Sequence, residues 1–113
     1  MAKLERTLTG DFHQVLAQLH DGIMNGSMTA SYEDGSEFTV NGTRCAVRMY
    51  ERYSAFGSNR VALSLTLVGD GSQLRLTAIT AGGSQAMFFK INTMGEKSFL
   101  NTLSAVVDRM DGR

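Results

Sequence analysis

The sequence predicts an α+β domain: a curved antiparallel sheet with two helices packed on one face, in the order β-α-β-β-β-β-α. Three observations predict it. A central block alternates apolar and polar residues with period two, and a segment of helical spacing lies on either side of it. Turns at Asn41-Gly42, near Gly57-Ser58 and at Asp70-Gly71 then tie four candidate strands into consecutive antiparallel pairs. At 113 residues the chain has the length of one domain, so residues 1–113 read as a single unit.

Ala2 to Leu8 form the first strand. Asp11, with Gln14 three residues on, is an N-cap pair that opens a helix, and Phe12, Val15, Leu16, Leu19, Ile23 and Met24 mark its apolar face. Asn25-Gly26 stops it where a left-handed residue is expected. A tight hairpin at Asp34-Gly35 would oppose Tyr32 to Glu37 and turn Met28, Ala30 and Tyr32 away from Phe38 and Val40. A bulge in one long strand from about Ser27 to Val40 keeps all five on one side.

The Asn41-Gly42 turn sets Phe38 against Cys45. Cys45, Val47 and Met49 share the core face with Val61, Leu63 and Leu65 only across an odd-length loop around Gly57. An Asp70-Gly71 turn opposes Leu67 to Leu74, Leu65 to Leu76 and Leu63 to Ala78, leaving Thr66 and Arg75 on the reverse face. After Gly82-Gly83-Ser84, residues Gln85 to Ile91 read as an extra edge strand or an irregular approach. Thr93 with Glu96 repeats the capping pattern and opens a helix to Met110, with Phe99, Leu100, Leu103, Val106, Val107 and Met110 inward.

Eleven basic and eleven acidic residues cancel, so no global field draws in nucleic acid or an anionic membrane. Cys45 is the single cysteine, which excludes an intramolecular disulfide and a multi-thiolate metal site. Charges stand where a signal peptide has its apolar core, and no apolar run approaches the roughly 20 residues that span a bilayer. The expected compartment is the cytoplasm. No cofactor is expected, since phosphate-loop, dinucleotide and nucleophile-elbow patterns are all missing.

The predicted element order resembles one half of the TATA-box-binding-protein-like fold and, more loosely, a shortened helix-grip domain. Fold likeness carries no function. At residue level, Arg44-Cys45-Ala46-Val47-Arg48, Glu51-Arg52-Tyr53-Ser54, Asn59-Arg60-Val61, Gly69-Asp70-Gly71, Ala81-Gly82-Gly83-Ser84-Gln85 and Phe88-Phe89-Lys90-Ile91-Asn92-Thr93 resemble a small bacterial family of about this length. That family is uncharacterised, so the resemblance implies no site residues.

The leading site candidate is the sheet face away from the core, where Arg44, Arg48, Tyr50 and Arg52 share one side of a strand and Arg75 lies across the neighbouring hairpin. Guanidinium forks and an aromatic ring suit an anion or a flat ligand. The plainer reading is cross-strand ion pairing, because Glu33 and Glu37 fall near Arg48 in the Asn41-Gly42 register. His13 and His20 are expected as boundary residues on the first helix, about 10 Å apart along its axis, with their polar edges in water. Cys45 reads as a small core hydrophobe. Gly82-Gly83-Ser84-Gln85, with Lys90, is a weak anion-nest pattern, and Met28, Met49, Met87, Met94 and Met110 could line an apolar pocket.

These readings point to a non-catalytic binding or interaction module, self-associating through a sheet edge or the second helix. The alternatives are a small-ligand binder with an apolar pocket between sheet and C-terminal helix, and a weak nucleic-acid or anion binder using the arginine face. Zero net charge disfavours nucleic acid, and no membrane partner is expected.

Overall fold

The computed structural model describes residues 1–53, 60–82 and 89–111. Five strands and two helices follow in the expected order: β1 (Ala2–Thr9), α1 (Phe12–Asn25), β2 (Ser31–Val40), β3 (Thr43–Tyr53), β4 (Arg60–Asp70), β5 (Gln73–Gly82) and α2 (Phe89–Asp111). The strands form one antiparallel sheet in the spatial order β1-β5-β4-β3-β2. Among the described residues β1 and β2 are therefore its edges.

Asp11 caps α1, its carboxylate accepting from the Gln14 backbone N–H at 3.0 Å. The end of α1 differs from expectation, because Gly26 is right-handed, at φ −80°. Its requirement is steric: a Cβ there would collide with Thr102 of α2, and one on Gly22 would collide with Val106. Two glycines one turn apart thus let the helices approach closely.

The turn at Asn41-Gly42 is left-handed at both residues, φ 52° and 79°, as the tightest hairpin loop demands. Phe38 faces Cys45, as predicted. The next hairpin turns at Gly71-Ser72, so the ladder runs two residues from the predicted register: Leu67 meets Leu76 and Leu65 meets Ala78. A slip of two preserves side-chain parity, and Leu63, Leu65, Leu67, Leu74, Leu76 and Ala78 all reach the core.

Parity fails on β3. Tyr53 pairs with Arg60, leaving the even-numbered stretch 54–59 between them, so β3 presents Ala46, Arg48, Tyr50 and Arg52 to the leucines of β4. Cys45, Val47 and Met49 face the other way. β2 carries the expected bulge, between Tyr32 and Asp34, but the extra residue turns Tyr32 to the helix side while Phe38 and Val40 stay on the bare side. Met28 precedes the strand and is fully exposed.

The helices fill the core from one face. Phe12, Leu16, Leu19 and Ile23 of α1 and Phe99, Leu103 and Val107 of α2 close over β1, β5 and β4. α2 begins at Phe89, ahead of the predicted capping pair, so Thr93 and Glu96 lie inside the helix and 89–91 are helical. The turn at Gly57-Ser58, the Gly83-Ser84-Gln85 part of the glycine nest, Met87 and the first part of the proposed edge strand lie outside the described residues, as do the side chains of Lys90 and Met94.

Candidate functional site

Arg44, Arg48, Tyr50 and Arg52 do share one side of β3, but it is the helix side. Tyr50 opposes Leu63, Arg48 opposes Leu65 and Arg52 opposes Val61, and directly opposed residues in an antiparallel ladder point the same way. Arg75 opposes Val68 and lies on the bare face, 3.2 Å from Glu5. The predicted five-residue stripe is therefore split between two faces. Arg44 tolerates this orientation because it is exposed near the end of the strand, whereas Arg48 and Arg52 set their guanidinium groups against aromatic rings.

Each arginine has a distinct setting. Arg48 reaches Glu37 at 3.4 Å and lies 5.7 Å from the Tyr32 ring centroid. Arg52 lies over the Phe99 ring at 4.6 Å, and burial lowers its pKa. Its Nε is buried and has no hydrogen-bond partner among the described residues. Arg44 is exposed near the β2–β3 turn, beside a cleft of about 330 Å³ that it lines with Phe12, His13, Glu37 and Thr39.

Where α1 meets the β2–β3 side of the sheet, His20, Tyr32 and Tyr50 pack together. The His20 Nδ1 and the Tyr50 hydroxyl are 2.8 Å apart, so the polar edge of His20 meets a phenol rather than water. Tyr32 packs 5.8 Å from His20 and 5.5 Å from Tyr50, its hydroxyl occupying the space a Gly35 side chain would need. Tyr50 is 0% exposed, and burial raises its pKa against an opposing pull from Arg48. No solute reaches that hydroxyl, which fits a latch joining α1 to the flank of the sheet. His13 is exposed and meets Phe12 edge-to-face.

The bare face carries several of the exposed apolar residues. Phe38 is 51% exposed, Val40 59%, Met49 36% and Ile79 39%, and Cys45 and Val47 are half-buried among them. Sequence reasoning placed Phe38, Val40, Cys45, Val47 and Met49 in the core. What decides it is the pairing of Tyr53 with Arg60, which fixes the parity of β3 against β4 and which no local sequence signal marks. The two edges also differ in chemistry: β1 carries Lys3, Glu5 and Arg6, with Lys3 3.7 Å from Glu5, whereas the second half of β2 carries Phe38 and Val40.

The chain matches, over residues 1–111, the model of a family described as a family of unknown function, DUF6054. The chain belongs to DUF6054. No curated protein matches it. Membership of DUF6054 accounts for nearly the whole chain as one family unit and assigns no chemistry, so roles rest on the geometry above. A groove of about 630 Å³ opens between α1 and α2, lined by Gly22, Gly26, Thr102, Val106 and Arg109 among others. Met49 lies on the opposite face of the sheet from the helices, and Met28 is exposed, so the methionines do not gather around a single pocket. Among the described residues no three His, Cys, Asp or Glu side chains converge as a metal site would require, and no helix is long and apolar enough to cross a membrane.

Proposed function

We propose that this DUF6054 chain is a non-catalytic interaction module that associates with itself through the β2 edge of its sheet. The observation that carries the reading is an open strand edge coinciding with exposed apolar side chains: every residue of β2 after Ser31 is exposed, and Phe38 and Val40 stand on its bare face. An edge of this kind is a ready template for another strand. The arginine row supports the same reading, because Arg48 is engaged by Glu37 and Arg75 by Glu5. A bacterial, cytoplasmic setting belongs to the reading, in accord with the earlier family likeness and with one free, half-buried thiol at Cys45.

The test is light scattering across the micromolar range. Wild-type protein is expected to approach the mass of two chains as concentration rises, and Phe38→Asp to keep the mass of one. A wild-type mass of one chain throughout that range refutes the proposal.

A further inference from the structure

The pairing register can be derived from β2 itself. Hydrogen-bonded and non-hydrogen-bonded pairs alternate along an antiparallel ladder, and a two-residue hairpin loop closes on a hydrogen-bonded pair. With Val40 opposite Thr43 across Asn41-Gly42, the backbone groups of Val40, Phe38 and Ser36 turn toward β3. Those of Gly35, Glu37 and Thr39 turn toward the open side. A second β2 strand must be met by these three residues.

Charge and length then select among antiparallel registers. Centring the pair on Glu37 opposes Glu37 to its own copy, and centring it on Ser36 opposes Phe38 to Asp34. Centring it on Gly35 runs Glu37 into the bulge beside Glu33. A centre at Thr39 pairs only Phe38, Thr39 and Val40 before the turn ends the strand. A centre at Phe38 avoids each of these direct oppositions, leaving the two Glu37 residues only as diagonal neighbours: Phe38 meets Phe38, Ser36 meets Val40, and Glu37 exchanges backbone hydrogen bonds with Thr39. No acid lies directly opposite an acid.

Resting on the proposed self-association, we infer that two copies pair their β2 strands antiparallel about a two-fold axis at Phe38, joining two five-stranded sheets into one continuous sheet. The axis stands perpendicular to the sheet, so both pairs of helices lie on one side. On the bare side, Phe38, Val40, Cys45 and Val47 of the two copies run together as one apolar strip. On the helix side, Thr39 is paired with Arg44 on β3, which sets Arg44 two strands from Glu37 of the second copy. At about 4.8 Å per strand the backbones are about 10 Å apart, a span that an arginine and a glutamate bridge. Complementary charge and matching open backbone groups thus make a second copy of this chain the partner of the β2 edge.

Cysteine cross-linking tests the register. All variants carry Cys45→Ala, since Cys45 opposes Phe38 within one sheet and would otherwise capture a new thiol there. Non-hydrogen-bonded antiparallel pairs have Cα atoms about 4.5 Å apart, inside the disulfide range. Under mild oxidation, Phe38→Cys is expected to cross-link to itself. Ser36→Cys alone is expected to remain single, and to cross-link when mixed with Val40→Cys, a combination that keeps Phe38 in place. If Ser36→Cys cross-links with itself, or if neither predicted arrangement does while wild-type protein retains the mass of two chains, this register is overturned and self-association stands. A wild-type mass of one chain overturns both. Circular dichroism confirms that each variant is folded before oxidation.

Discussion

Replacing Tyr50 by Phe isolates one contact whose existence depends on β3 facing the helices. The substitution keeps the ring, and with it the packing against Tyr32 and Leu63, and removes only the hydroxyl 2.8 Å from His20 Nδ1. A net hydrogen bond contributes about 0.5–1.5 kcal/mol, and leaving the partly buried His20 nitrogen without its partner adds to the loss. The expected destabilisation is about 1–2 kcal/mol, which lowers the melting temperature by roughly 4–8 °C in a domain of this size. The alkaline limb gives a second readout. Burial holds the Tyr50 phenol above its ordinary pKa of 10.0, so at high pH the unfolded chain loses a proton that the folded chain keeps. Stability associated with that shift is fully present below pH 10 and declines as pH rises toward the folded value. Tyr50→Phe lacks this decline, so the difference between the two proteins narrows above pH 10. Urea unfolding at neutral pH and at several alkaline values measures both. A variant as stable as wild type, with the same alkaline profile, would place Tyr50 on the solvent face and refute the parity of β3.

Other expectations follow from the same contacts. Gly22→Ala overpacks the Val106 side chain at a cost of about 1–3 kcal/mol, more than the roughly 1 kcal/mol helix-propensity gain. In a double-mutant cycle by chemical denaturation, Val106→Ala recovers part of that loss, and strictly additive effects would mean the helices do not touch there. Thr39→Pro removes an open-side N–H of an edge strand without a β3 hydrogen bond, so the protein stays folded by circular dichroism and scatters as one chain. A Thr39→Pro protein that still doubles its mass would exclude β2 pairing. Arg52→Met gives up the guanidinium contact over Phe99 but also removes a buried Nε that has no partner among the described residues, so the two effects offset and unfolding free energy changes by no more than about 1 kcal/mol. A loss above about 2 kcal/mol in thermal or urea unfolding would show that the guanidinium has a buried partner.

The features that were legible from sequence are those governed by local chemistry. Asp11 with Gln14 marked the start of α1, Asn41-Gly42 fixed the β2–β3 register, and the leucines of β4 and β5 reached the core even though their turn lies at Gly71-Ser72 rather than Asp70-Gly71. That error did no harm because it was even. The face of β3 was not legible, since Cys45, Val47 and Met49 on one side compete with Ala46 and Tyr50 on the other, and the deciding quantity is a nonlocal pairing of Tyr53 with Arg60. Reading arginine as outward-facing compounded the error, because a guanidinium set over the ring of Phe99 or Tyr32 can occupy a helix-facing position. The bulge was anticipated, but its effect on Tyr32 depends on which residue is extra, and that is a property of the ladder.

Residue-resolved hydrogen exchange along β2, followed against protein concentration, tests the open edge most directly. In a single chain the amides of Ser36, Phe38 and Val40 are protected by β3, and those of Glu37 and Thr39 exchange rapidly. The account predicts that Glu37 and Thr39 become slow as concentration rises, while the other three change little. Rapid exchange at Glu37 and Thr39 at every concentration would contradict it.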